Sequence, residues 1–140
     1  MERNTEHLLA IAEQIRNEPE TLDMEDWRAV RGFNETGVDG SGFPCGSASC
    51  IGGWSQALRG VSPLDEHPIA TLAAMGLTED EGYDLCYGLG VSLFYLLPVD
   101  DRGERFADIL TAIAHGADVR ETLGTAWFAA FHAASAVTSV

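Results

Sequence analysis

Positively charged residues are scarce in this sequence. The chain contains 8 Lys plus Arg against 22 Asp plus Glu, which gives a formal net charge of −14. This deficit excludes a protein that binds nucleic acid directly, because neutralising phosphates requires Lys and Arg. An acidic surface also repels anionic membranes, but it can steer the chain toward basic surfaces of other proteins.

Long apolar runs are missing as well. No run approaches the ~18–20 consecutive apolar residues of a membrane-spanning helix. Residues 1–18 carry charges throughout, and they lack the apolar core and small-residue cleavage site of a signal peptide. We therefore expect a cytoplasmic protein with no membrane partner.

Cysteine is rare, and its count is odd. Three cysteines cannot form a fully paired disulfide framework. In a reducing cytosol such thiols stay reduced or bind another group. The fold must therefore depend on its core, and 140 residues with 46% hydrophobic content are sufficient for one domain.

Helical periodicity dominates the chain, and no segment shows the alternation typical of a β-strand. The clearest helix carries Phe106, Ile109, Leu110 and Ile113 at i, i+3, i+4 and i+7, and it ends at Gly116. The pattern predicts a single all-α domain over residues 1–140, with about six or seven short helices. Three pairs have the spacing of a capping box at a helix start: Thr78 with Glu81, Asp101 with Glu104, and Asp118 with Glu121.

The first third of the chain predicts two helices and a long loop. The first helix should follow an N-cap at Asn4 or Thr5 and stop at Pro19. A shorter helix is expected to begin at Asp23. Residues 32–47 contain five glycines and no hydrophobic period, so they predict a loop that is long for a compact domain.

The segment "CGSASCIGGWSQALRG" joins this loop to the next helix. Ser47 or Ser49 can cap that helix and Gly60 can end it, while its tryptophan would anchor it in the core. Gly52 and Gly53 each cost about 1 kcal/mol relative to alanine inside a helix. Their presence therefore indicates a close crossing with another helix.

The string from Cys45 to Trp54 fits the pattern Cys-Gly-(Ser/Thr)-x-x-Cys-(Ile/Phe)-(Ala/Gly)-Gly-(His/Trp). It resembles a family of small, largely uncharacterised proteins of bacteria and their phages. In that family a Trp-containing helix precedes the cysteines and an acidic helix follows them, and Trp27 and the segment from Thr78 match these two features. The resemblance covers the chain roughly from Ile15 to Val119, but not the length of the loop or the aromatic tail. It implies element boundaries and a bacterial or phage setting rather than a mechanism.

Cys45 and Cys50 are the first candidate chemical site. If both were helical, their side chains would point about 140° apart and could not meet. A loop that curls over the helix start could bring their Cα atoms within the ~4.4–6.8 Å of a disulfide. A thiol in the first turn of a helix also has a lowered pKa, which suits redox sensing. Structural packing, a disulfide, and a metal-binding or reactive thiol pair all stay open.

Zinc is the alternative to having no cofactor. A zinc site needs four ligands, of which Cys45, Cys50 and Cys86 could supply three and His67 or His115 the fourth. The sequence has only one close cysteine pair, whereas strong zinc signatures have two, so we expect no cofactor. A further alternative is an enzyme that uses Cys50 or Cys86 with one of these histidines, although no catalytic motif surrounds them.

Acidic residues concentrate at predicted helix starts, where the helix dipole already favours them. Together they could also form one acidic face. We therefore predict a non-enzymatic interaction module whose acidic face binds the basic surface of a host nucleic-acid-handling protein. In a phage setting this would mean an inhibitor of a host defence complex such as CRISPR, acting in the host cytoplasm. The residues of the predicted face are Glu79, Asp80, Glu81, Asp84, Asp100, Asp101 and Glu104.

Residues 125–140 form an aromatic and alanine-rich C-terminal helix or tail. Trp127, Phe128 and Phe131 lie within five residues. They either close over the core or form an exposed apolar stripe, which would mark a homodimer contact or a partner groove. His7 and His132 are expected at the surface.

Overall fold

The computed structural model describes residues 2–24, 50–61 and 65–138, with side chains up to residue 135. Within these ranges the chain forms α-helices and 3₁₀ turns and contains no β-strand, so the predicted all-α class is confirmed. The predicted loop 32–47 and Cys45 lie outside the described residues. Of the helix predicted from Asp23, only the first two residues are described, and they are not helical.

Seven α-helices and two 3₁₀ turns lie in the described ranges. The helices are α1 (Thr5–Asn17), α2 (Ile51–Leu58), α3 (Pro68–Ala74), α4 (Glu79–Cys86), α5 (Leu89–Leu96), α6 (Arg102–Ala114) and α7 (Val119–Thr138). The first 3₁₀ turn is Pro19–Thr21, and the second is Val99–Asp101.

The core is built around α1, which packs lengthwise against α6. Leu8, Ile11 and Ile15 share one face of α1 and are fully buried. Phe106 and Leu110 of α6 are also fully buried. Burying a side chain of this size contributes about 1.5–3 kcal/mol, so this helix pair supplies much of the hydrophobic stabilisation of the fold.

The other helices assemble on this pair. α2 packs against both α1 and α3, while α7 packs mainly on α5 and also on α4 and α6. Trp54 of α2 is only 6% exposed, and its Nε1 donates a hydrogen bond of 3.0 Å to the backbone carbonyl of Thr21. The tryptophan is therefore the predicted core anchor, and it ties α2 to the first 3₁₀ turn. Gly52 and Gly53 are buried in the same helix.

Three of the seven described α-helices start with a predicted cap. The Asn4 side chain accepts a backbone N–H from the first turn of α1 at 3.2 Å. Thr78 and Glu81 make both hydrogen bonds of a capping box, at 2.9 and 3.2 Å. Asp118 Oδ2 accepts the backbone N–H of Glu121 at 2.9 Å. These caps are local, which explains why the sequence predicts them.

The capping box predicted at Asp101 and Glu104 is wrong. Asp101 ends the second 3₁₀ turn with φ −98° and ψ −11°, and its side chain makes no cap hydrogen bond. The turn runs directly into α6, so no residue with an extended backbone stands at the N-cap position. At α2 the N-cap residue is Cys50, again without a side-chain cap bond. The predicted caps Ser47 and Ser49 lie outside the described residues.

The residues that begin α1 bind the C-terminal ends of two other helices. The Asn4 backbone N–H donates to Met75 O at 3.1 Å, and the Asn4 side chain donates to Ala74 O at 3.1 Å. Thr5 Oγ1 donates to Ala114 O, at the last residue of α6, at 2.9 Å. The last carbonyls of a helix have no partner within the helix, so these bonds stabilise the ends of α3 and α6.

α6 approaches the first 3₁₀ turn closely at Gly103. A Cβ atom at this position would overlap the Cβ and Cα atoms of Pro19. The contact therefore requires glycine, and it brings the two 3₁₀ turns to the same end of the molecule.

Candidate partner-binding surface

The seven carboxylates of the predicted acidic face lie in two groups. We call Glu79, Asp80, Glu81 and Asp84 the α4 acidic group, and Asp100, Asp101 and Glu104 the α6 acidic group. Arg3 Nη2 lies 3.0 Å from Glu81 Oε2 and donates to Ala117 O, just beyond the C-terminal end of α6, at 3.0 Å. The α4 acidic group is therefore near the C-terminal end of α6, whereas the α6 acidic group is at its N-terminal end. A helix of 13 residues separates them, or about 20 Å.

Arginines bind two members of the α4 acidic group. Arg3 pairs with Glu81, whose carboxylate also accepts a hydrogen bond in the capping box. Arg120 donates to both carboxylate oxygens of Asp84, at 3.1 and 3.3 Å, and these bonds raise the pKa of Arg120. The exposed Glu79 and Asp80 lie in the first turn of α4, where the helix dipole is a sufficient reason for them. Most carboxylates of this group therefore already interact with arginines or with the helix dipole of their own chain.

The α6 acidic group is more open to a partner. Asp100 and Asp101 are exposed in the second 3₁₀ turn. Arg16 lies 3.7 Å from Glu104 and 2.8 Å from Asp108 in the next turn of α6. The side chains of these pairs are about half exposed, so the pairing is weak in energy.

The first 3₁₀ turn adds a further carboxylate at this end. Glu20 and Asp100 flank a surface hollow of about 380 Å³, which we call the acidic hollow. Charge and spacing in the sequence do not identify Glu20, because it is far from Asp100 in the chain and is brought near only by the close packing of α6 on the first 3₁₀ turn at Gly103. The residues lining the hollow are Pro19, Glu20, Leu22, Phe94, Val99, Asp100 and Arg102.

An arginine already lies over an aromatic ring in the acidic hollow. The Arg102 guanidinium carbon lies 4.2 Å from the centre of the Phe94 ring and 5.9 Å from that of Tyr95. This geometry is that of a cation–π contact. Glu20 and Asp100 bring two negative charges to the hollow against the single positive charge of Arg102, so the hollow can pair with a Lys or Arg side chain of another protein.

The two described cysteines are buried. Cys50 is 3% exposed and Cys86 is 1% exposed. Burial, and secondarily the nearby Cys50, raise the pKa of Cys86 well above its usual value, although a hydrogen bond from the backbone N–H of Gly52 acts in the opposite direction. Cys86 therefore stays a protonated thiol at neutral pH, which makes it a poor nucleophile. The Cys45–Cys50 disulfide involves a residue outside the described ranges and stays a prediction.

The histidines considered as zinc ligands or bases bind the local backbone. His67 is the N-cap of α3, and its Nδ1 accepts the N–H of Ile69 at 3.1 Å. His115 Nδ1 lies 2.8 Å from Thr111 O at the end of α6. Among the described residues, no group of three or more His, Cys, Asp or Glu could hold a metal ion. Cys45 lies outside the described residues, so the zinc alternative stays a prediction.

His7 is not the surface residue that the sequence predicted. It is half-buried, and its Nε2 lies 2.7 Å from Ser55 Oγ. Arg59 donates to Ser55 O at 3.1 Å and binds both carboxylate oxygens of Glu66, at 2.9 and 2.6 Å. Thr71 Oγ1 also donates to Glu66, at 2.7 Å. Ser55 is 0% exposed, so a substrate cannot reach its hydroxyl and the network holds α1, α2 and α3 together.

The predicted C-terminal segment is helical as far as Thr138. Trp127 is half-buried, whereas Phe128 and Phe131 are 62% and 44% exposed. His132 is exposed, as predicted. The aromatic residues therefore do not simply close over the core.

Comparison with protein-family models, curated proteins and solved structures finds no match. The resemblance to the bacterial and phage family therefore stays a prediction. No helix in the described ranges combines the length and apolarity needed to cross a membrane.

Proposed function

We propose that this protein is a non-enzymatic interaction module that binds the basic surface of a nucleic-acid-handling protein through its α6 acidic group and acidic hollow. The observation that carries the proposal is the hollow, where the carboxylates of Glu20 and Asp100 outnumber the single positive charge of Arg102. The net charge of −14 favours an encounter with a basic partner.

The mechanism is electrostatic attraction followed by insertion of basic side chains. Asp100 and Asp101 project from a turn and are exposed, so a partner can approach them directly. Arg side chains of the partner would pair with these carboxylates through charge-assisted hydrogen bonds. A basic surface covered in this way is no longer available to phosphates, so the protein would act as a competitor of nucleic acid. If the phage resemblance holds, the partner would be a host defence complex of the CRISPR kind.

Affinity capture from bacterial lysate tests this proposal. Wild-type protein should recover basic nucleic-acid-binding proteins at about 50 mM salt and release them at about 500 mM, where the Debye length falls from over 10 Å to below 5 Å. Asp100→Asn/Asp101→Asn should lose the capture. Glu79→Gln/Asp80→Asn changes the charge by the same amount at the other end of α6 and should retain it.

Nucleic acid supplies the second arm of the test. Adding a duplex or guide RNA that the captured protein binds should displace it from the wild-type resin. If no basic protein is recovered even at low salt, the proposal is wrong. Equal loss of capture in both double variants would also contradict it.

A further inference from the structure

The outer face of α7 has an aromatic cluster fixed by packing. The rings of Trp127 and Phe131 are stacked, with centroids 5.2 Å apart and an interplanar angle of 7°. Phe128 packs edge-on against Trp127 at 5.7 Å. Trp127 Nε1 donates to Ser92 Oγ of α5 at 2.9 Å, which fixes the indole on the body of the protein. The two phenylalanines thus form a rigid apolar surface that is exposed to solvent. Because their side chains are already ordered, binding would cost little further side-chain entropy.

This face is also uncharged. Residues 124–138 contain no Asp, Glu, Lys or Arg, in a chain with a net charge of −14. A basic partner is attracted to the carboxylates, not to this segment. Two copies of the chain repel each other where their acidic surfaces face. The electrostatic repulsion is smallest when they approach through a neutral apolar strip.

We propose that the outer face of α7 is a self-association surface, and that its occupant is α7 of a second copy packed antiparallel. The proposal does not depend on the proposed function, because it uses a different face.

Antiparallel pairing keeps the like charges apart. If the two helices cross near residue 130, Glu121 of each copy lies nine residues from the crossing. The two Glu121 residues are then about 27 Å apart along the axis, at 1.5 Å per residue. The Debye length at physiological ionic strength is about 8 Å, so their repulsion is largely screened. The helix dipoles also oppose each other favourably in this arrangement.

The available area indicates a modest affinity. An aromatic side chain has about 150–250 Å² to bury, so the exposed parts of Phe128 and Phe131 offer about 200 Å² per copy. That is roughly a quarter of the ~800 Å² that each partner buries in a standard interface. The exposed ring of His132, next to Phe128 and Phe131 on the helix, adds to this area. We therefore expect a weak dimer that forms only at high protein concentration and dissociates on dilution.

Sedimentation equilibrium over a dilution series tests the proposal. Wild-type protein should shift from monomer to dimer with concentration, and dimerisation should strengthen from about 50 to about 500 mM NaCl, because salt screens the repulsion between two acidic bodies. This dependence is opposite in sign to that of binding a basic partner, so the two proposals fail independently. A wild type that stays monomeric up to about 1 mM at both salt concentrations overturns this inference.

A charge-matched pair of variants locates the surface. Phe128→Glu/Phe131→Glu should weaken dimerisation by at least about tenfold. Leu58→Glu/Ile69→Glu adds the same charge on α2 and α3, at side chains 42% and 50% exposed, and should dimerise nearly as wild type does. Equal weakening in both variants contradicts the assignment to α7. Circular dichroism checks that both variants are folded.

Hydrogen exchange of the wild type gives a test that needs no variant. Amides of residues 127–135 should exchange more slowly at high than at low protein concentration, while those of α2 should not change. Uniform exchange at both concentrations contradicts the proposal. Binding of the monomer to phosphatidylcholine vesicles, lost in Phe128→Glu/Phe131→Glu, without self-association would assign the face to a lipid surface and would also overturn it.

Discussion

His7 Nε2 and Ser55 Oγ lie 2.7 Å apart, and this contact joins α1 to the fully buried hydroxyl of α2. Arg59 Nη2 donates to the same oxygen at 3.4 Å, and Nη1 and Nη2 both donate to the Glu66 carboxylate. The imidazole therefore lies in a polar network at the junction of helices, beside a permanent positive charge.

This position predicts a pH dependence of stability. Burial, and then the charge of Arg59, lower the pKa of His7 from its usual 6.5, while Glu66 acts in the opposite direction. Between the lowered pKa and 6.5, the unfolded chain binds more protons at His7 than the folded chain does. The contribution of His7 to stability is thus complete above about pH 6.5 and is lost as pH falls through the folded pKa.

Urea unfolding at several pH values between about 7.5 and 5 measures this effect. His7→Gln should reduce the decline in the free energy of unfolding over this range. His132→Gln removes an exposed imidazole and should leave the decline unchanged. A His7→Gln variant with the full wild-type decline would show that other groups cause it.

The hydrogen bond from Trp54 to Thr21 O should be important for stability. Trp54→Phe leaves a buried carbonyl without its donor, which costs about 1–3 kcal/mol, and it also leaves a cavity. Trp127→Phe removes an equivalent bond to Ser92 at the surface, where water can replace it, and should cost about 0.5 kcal/mol or less. Denaturant midpoints of the two variants compare these costs, and equal values would contradict the structural assignment.

Alanine substitutions at two glycines should change the stability of the protein in opposite directions. In Gly103→Ala the new Cβ overlaps Pro19, so α6 and the first 3₁₀ turn must separate, at a cost of about 1–3 kcal/mol. Gly124 lies inside α7 with no atom within 4 Å of an added Cβ. Gly124→Ala should therefore stabilise the protein by about 0.5–1 kcal/mol through helix propensity. Thermal melts with a common baseline distinguish the two signs, and destabilisation by Gly124→Ala would count against the packing described for α7.

Cys86 should be unreactive in the folded protein. Its thiol is buried and its pKa is raised, so both access and thiolate formation are suppressed. Iodoacetamide at neutral pH should label Cys86 on the order of 10³-fold more slowly than in the urea-unfolded chain, because labelling requires opening of the fold. Peptide mass spectrometry reads each cysteine separately. Rapid labelling of native Cys86 would instead favour the cysteine-dependent enzyme.

The features predicted correctly from sequence are those set by neighbouring residues. The apolar spacing in α1 and α6 specifies the buried face of each helix, and the capping box at Thr78 and Glu81 needs only four residues. The box at Asp101 failed for a reason that is also local. The turn beginning after Pro98 continues directly into α6, and sequence spacing alone does not distinguish this arrangement from a cap.

The candidate site was harder to predict because it depends on tertiary contacts. Its members Asp100, Asp101 and Glu104 were identified from charge, but Glu20 joins them only because Gly103 allows α6 to pack closely on the first 3₁₀ turn. Their charge also led to the prediction that the α4 acids share one face with them, although the length of α6 separates the two groups. His7 was misplaced for a similar reason, since its partner Ser55 lies on another helix.

The pairing of α1 with α6 has a consequence for synthesis of the protein. Arg16 and Asp108, which meet across these helices, are 92 positions apart in the chain. At the usual elongation rates of about 5–20 residues per second, the apolar face of α1 emerges about 5–18 seconds before its main partner. During that interval it is a natural binding site for chaperones, and nascent chains stalled before α6 should be more prone to aggregation than those stalled after it.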